Sequence, residues 1–177
     1  MYRLKDTPEW PNVNSVKMNK TNISIYGLDP DRSQRTRAEV LISHRLGQSL
    51  AGEDLSGLDL SGLSLQGIDL AGANLRGVNL RGANLSHANL SRADLDGASL
   101  CGAVLQSANL CGASLLKANI NAADLREADL HLAQLQAADL QQADLSQADL
   151  RGANLQDADL REACLECVRL QNANLSD

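Results

Sequence analysis

Four cysteines, three histidines and a run of carboxylates are the residues through which this 177-residue chain could do chemistry. Cys164 and Cys167 form the one Cys-x-x-Cys, a spacing suited to a zinc site or a dithiol redox pair. A structural zinc needs two further ligands, and the sequence offers no second Cys-x-x-Cys and no His pair to supply them. Cys111, His131 and Asp129 are the types that make a nucleophile, its base and an acid beside it. His44 and His87 have no evident partners. Six aspartates, Asp124, Asp129, Asp139, Asp144, Asp149 and Asp159, are better suited to binding a basic partner than to catalysis.

The elements that must carry these residues follow from one period. From Leu55 to Leu175 a leucine returns every five residues through 25 pentapeptides, with Ile120 the one exception. Two residues before it sits a small or apolar residue, most often alanine, as in Ala73 and Ala83. Between them lies a short polar residue, usually Asn or Asp. On an α-helix five residues advance about 500°, so successive leucines step by about 140° and make no stripe. On one continuous strand an odd period sends each leucine to the face opposite the last. A chain that turns a corner every five residues solves the problem. Alanine and leucine, two apart, then share the inner face and the Asn/Asp points out. The other two residues make the corner, and ten of the 25 corners end in glycine, which suits a turn with positive φ.

The Ala-(Asp/Asn)-Leu-x-x unit, repeated from Glu53 onward, resembles the pentapeptide-repeat proteins. The resemblance implies an all-β solenoid, a right-handed quadrilateral β-helix with one pentapeptide per side and four per coil. Residues 20 apart would then stack, as Leu75, Leu95, Leu115 and Leu135. About six coils at roughly 4.8 Å give a rod of about 30 Å. The family often places Phe at the central position; this chain has none, which predicts a uniform core.

In that geometry Cys164 faces out from a side and Cys167 occupies the next corner, so the pair reads as substituted surface positions. Cys101 and Cys111 fall half a coil apart, too far for a disulfide. Cys111, His131 and Arg151 stack on neighbouring coils with Asp129 close by. A convex, flat surface without a cleft or loop does not exclude water from such a group. No catalytic, metal or cofactor site is expected.

Residues 1–52 form a separate N-terminal segment in this reading, and 53–177 the β-helix. The segment holds every aromatic, Tyr2, Trp10 and Tyr26, and short alternations within Val13–Leu28 that fit one or two strands. Asp29-Pro30-Asp31 starts a helix of about residues 30–46, with Asp29 as N-cap and Gly47 as its stop. Ala38, Leu41, Ile42 and Leu46 share one face, expected to cover the open end of the rod beside Leu58, Leu63 and Ile68. Arg32, Arg35 and Arg37 crowd the first turns, where positive charge is unfavourable, so acids on the rod are expected to compensate them.

The net charge of −6 argues against nucleic-acid affinity. It is unevenly spread: eight Lys/Arg against five Asp/Glu give +3 over residues 1–52, and eight against seventeen give −9 beyond. Without a signal-peptide h-region or a membrane-length apolar run, the expected compartment is the cytoplasm.

Some members of the resembled family bind DNA gyrase by imitating duplex DNA, as the quinolone-resistance proteins do; others are regulators or scaffolds, many of them cyanobacterial. Duplex DNA would carry roughly 18 charges over about 30 Å. The rod carries a net −9, about half of that, interspersed with Arg76, Arg81, Arg126, Arg151 and Arg161. The expectation is therefore a scaffold or regulator that binds an unidentified protein partner, with DNA mimicry toward gyrase as the alternative. The six aspartates are the expected docking residues. Leu160, Leu165, Leu170 and Leu175, in the last coil, are the expected contact of an end-to-end homodimer.

Overall fold

The computed structural model describes residues 35–176. The expected strands within Val13–Leu28, the three aromatics and the Asp29-Pro30 helix start lie outside the described residues. Ser33–Asp177 forms one compact unit. Its elements are a helix, α1 (Arg37–Arg45), and a stack of short extended sides separated by turns.

All 21 β-bridges are parallel and join residues 20 apart, from Asp54↔Asn74 to Asn154↔Asn174, so four pentapeptides make each circuit. One pentapeptide shows why the backbone adopts this path. Ala73 N–H closes the preceding turn on the Leu70 carbonyl (3.0 Å), and Asn74 N–H reaches the Glu53 carbonyl one coil below (2.9 Å). Leu75 N–H donates to Asp94 (2.7 Å) and Gly77 N–H to Asp96 (3.0 Å), both one coil above. That leaves Arg76 N–H, which donates to the Asn74 side-chain oxygen at 3.2 Å. Every donor is satisfied, which a buried backbone requires. The last bond explains the Asn/Asp preference: a short side-chain acceptor two residues back caps the corner amide.

Leucine and alanine fill the interior. Every phase residue from Leu55 to Leu155 is at most 3% exposed, and the alanines two residues before a phase residue, from Ala73 to Ala153, are at most 1% exposed. Leu165 and Leu175 are 42% and 50% exposed, because no coil covers their far side among the described residues. Leu160 and Leu170 are half-buried. The bridged backbone reaches one pentapeptide before Glu53: Leu50 is buried and its N–H donates to the Asp69 carbonyl at 2.9 Å.

The start and orientation of α1 differ from expectation. Thr36 is extended (φ −95°, ψ 161°), so an unbroken helix from residue 30 to 46 does not form. Thr36 is the N-cap of a capping box: its hydroxyl accepts from Glu39 N–H, and the Glu39 carboxylate accepts from Thr36 N–H. The buried face is Val40 and Ser43, whereas Ala38 is exposed and Ile42 and Leu46 are 43% and 48% exposed. At about 100° per residue the expected face lies nearly opposite the observed one; Leu41, at its edge, is partly buried. Polar anchors explain the orientation. Arg35 donates from Nε and Nη2 to the two Glu53 carboxylate oxygens, each at 3.0 Å, and from Nη1 to Ser43 Oγ at 3.4 Å. Arg37 donates to the carbonyls of Asp59 (2.7 Å) and Ser61 (2.8 Å), with the Asp59 carboxylate 3.7 Å away. The compensating acids expected on the rod are thus Glu53 and Asp59.

Candidate protein-docking surface

The six aspartates occupy outward positions on three of the four sides. They stack as three bridged pairs: Asp124 on Asp144, Asp129 on Asp149, and Asp139 on Asp159. The fourth side carries Ser114, Gln134, Asn154 and Asn174 instead. Each of the six has a structural duty before any other. Its Oδ1 caps a corner amide, that of Arg126, His131, Gln141, Ser146, Arg151 or Arg161, at 3.0 to 3.2 Å.

Stacking carboxylate on carboxylate creates repulsion, and the surface answers it with arginine. In the first coils Asn stacks on Asp on three sides, and the amide donates to the acid: Asn74 Nδ2 to Asp54 Oδ1 (3.0 Å), Asn79 to Asp59 (3.0 Å) and Asn89 to Asp69 (2.9 Å). Asp-on-Asp pairs cannot make that bond while both are ionised. Arg126 instead grips Asp124 (Nε 2.8 Å, Nη2 2.7 Å) and lies 3.8 Å from Asp144. Arg151 holds Asp149, which Arg169 approaches to 3.7 Å, and Arg161 holds Asp159. Hydrogen bonding to Arg151 lowers the Asp149 pKa to about 2. The Arg126 and Arg161 side chains lower Asp124 and Asp159 in the same way, and the Ser146 hydroxyl lowers Asp144.

Six aspartates against four arginines leave −2 for the cluster (6 − 4). Asp129 and Asp139 have no ion pair among the described residues. Asp129 borders a shallow groove of about 430 Å³, walled by Glu127, Gln147 and Cys167 on one flank and by Asp149 and Arg169 on the other. The sequence places Arg126, Arg151 and Arg161 among the acids, in Asp-Leu-Arg at residues 124–126, 149–151 and 159–161, but does not show that each grips the aspartate two residues before it. The repeat geometry turns both polar side chains of that tripeptide outward.

The sulfur and imidazole candidates fall to other partners. His131 Nδ1 lies 2.6 Å from the Arg151 carbonyl, Asp129 caps the His131 amide, and Arg151 is bound to Asp149. Cys111 is therefore not joined to a His–Asp relay. All four cysteines are free thiols, and Cys164 Sγ lies 3.1 Å from Ser146 Oγ. Among the described residues no group of His, Cys, Asp or Glu is arranged to hold a metal ion, and no helix is long and apolar enough to cross a membrane.

The pentapeptide repeats family, in 8 copies, matches residues 54–92, 93–131, 128–166 and 138–177. The chain belongs to the pentapeptide repeat family. The right-handed quadrilateral β-helix is the fold of its members, in line with the 20-residue register seen here. Among solved structures, this pentapeptide repeat protein is 29% identical to HetL, involved in heterocyst differentiation regulation in the cyanobacterium Nostoc. That match covers 78% of this chain and 96% of HetL, with a TM-score of 0.37. It is 30% identical to Rfr23 of the cyanobacterium Cyanothece, over 79% of this chain and 99% of that one, at a TM-score of 0.35. Trypsin-treated QnrB1, a plasmid-mediated fluoroquinolone resistance protein, is 20% identical over 72% of this chain and 77% of its own, at a TM-score of 0.48. No curated protein sequence matches the chain.

Proposed function

We propose that this pentapeptide repeat protein is a non-enzymatic, cytoplasmic scaffold or regulator whose acidic β-helical surface docks a basic protein partner. The observation that carries the reading is the set of three stacked aspartate pairs on three adjacent sides, with Asp129 and Asp139 in no ion pair among the described residues. A periodic backbone fixes the charges at the inter-coil spacing, so little side-chain or loop entropy is lost on binding. The test is affinity capture from the native host with the wild type and with a variant carrying Asn at all six positions. The wild type is expected to retain a basic protein that the variant loses. Equal capture by both removes the reading.

Imitation of duplex DNA is the rival reading, and the arginines weigh against it, because they halve the charge that an acidic rod of this size would otherwise carry. Supercoiling by DNA gyrase is expected to proceed unchanged in the presence of this protein. Inhibition or protection from a quinolone would reverse the preference.

The far edge of the stack is the proposed contact with a second copy. Leu165 and Leu175 are among its exposed apolar side chains. Among the described residues, Leu160, Leu165 and Leu170 N–H and the Ala158 and Ala163 carbonyls have no backbone partner. An antiparallel, two-fold pairing puts those amides on the partner copy's carbonyls. Light scattering at low and high salt tests it: a dimer mass is expected, more readily at high salt, and a monomer mass at both excludes it.

A further inference from the structure

The second corner residue is left-handed all along the stack, at φ between +53° and +71° from Gly52 to Asn172. The residue types that meet this demand change along the chain. All seven corners from Gly52 to Gly82 are glycine, which adopts the conformation freely. Of the twelve corners from Lys117 to Asn172, eleven carry a side chain and Gly152 is the exception. Each of those eleven crowds its Cβ against the following carbonyl. The same coils carry the stacked aspartate pairs, and exposure of the inward residues rises from Ala158 onward. At the other end, α1 seals the stack with Val40, the Arg35–Glu53 pair and the two Arg37 bonds.

We infer that the stack opens in two steps, with residues 117–176 releasing as a sub-global unit while the α1-capped coils up to Gly112 stay closed. Stacked repeats couple only to their neighbours, so a difference in intrinsic stability between two sets of coils is not averaged over the whole. Inter-coil amides in the weaker set then exchange through an opening that leaves the stronger set intact.

Native-state hydrogen exchange read by mass spectrometry tests this on the full chain, at a concentration where light scattering gives the monomer mass. Protection factors of the phase residues Ile120–Leu155 are expected to be lower than those of Leu55–Leu110 by roughly tenfold or more. The phase residues from Leu160 onward are excluded, because their N–H groups have no backbone partner among the described residues. Equal protection in the two sets would overturn the inference, since it means one cooperative unit. A second protein, Ala137→Gly with Gln142→Gly and Gln147→Gly, separates corner strain from simple fraying at an end. Glycine adds freedom to the opened chain, which works against the gain, yet relief at three left-handed corners is expected to prevail. Exchange in residues 117–155 is expected to slow severalfold, with residues 55–110 unchanged. No slowing, or faster exchange, would show that the corners are not the cause.

Discussion

At the scale of the residue, the account rests on what each position of the pentapeptide is asked to do. Leu115 is 1% exposed in the middle of the stack, and its N–H donates to the Gln134 carbonyl one coil above at 2.7 Å. Leu115→Ala is expected to destabilise by about 2–5 kcal/mol. Leu115→Asp adds an unpaired buried carboxylate and is expected to abolish cooperative melting; a wild-type melting temperature would contradict the stacking. Corners offer a finer comparison. A Cβ at Gly152 would lie 2.9 Å from Leu132 Cδ2, whereas at Gly112 the nearest atom, Arg92 Cγ, is 3.7 Å away. Both substitutions to alanine incur the left-handed penalty of about 1–2 kcal/mol. Gly152→Ala also has to displace Leu132, so thermal unfolding is expected to rank it as the more destabilising. The inward phase of leucine and alanine was legible in the sequence, because an odd period admits no regular helix or strand. The duty of the Asn/Asp oxygen was not, because it depends on the corner amide two residues on, which a pattern of apolar and polar letters does not show.

At the scale of the element, α1 shows where sequence reading stops. Asp29-Pro30 and Thr36-x-x-Glu39 are both respectable helix starts, and local propensity does not rank them. The Thr36 capping box prevails within the described residues, and Arg35 and Arg37, on either side of it, set which face turns inward. The apolar spacing of Ala38, Leu41, Ile42 and Leu46 pointed the other way, since two arginine anchors outweigh a weakly amphipathic stripe. Thr36→Ala is expected to lose about 1 kcal/mol, and hydrogen exchange at Val40 is the local readout. The ladders add a dependence on acid. Hydrogen bonding to Arg151 lowers the folded-state pKa of Asp149 to about 2, against 3.8 ordinarily. A lowered folded pKa means stability fully present above the unfolded value and lost as pH falls through the folded one. Melting temperature is therefore expected to fall as pH drops from about 4 to 2, and less steeply in Asp149→Asn. An equal slope in both proteins would show that this carboxylate does not contribute.

At the scale of the whole molecule, the repeat gives a rigid lattice of outward positions, and function depends on which residues occupy it. The sequence showed the acids and their three sides; it did not show that arginine two residues on would neutralise several of them. The central claim is that the remaining charge, Asp129 and Asp139 foremost, makes a docking surface rather than a soluble coat. Asn caps the same corner amides elsewhere in the stack, as Asn74 and Asn154 do, so replacing the six aspartates with Asn keeps the fold. The most direct measurement is affinity capture by this variant, after thermal melting shows it folded. The account predicts a cooperative transition retained and the basic partner lost; capture undiminished from wild type would contradict it.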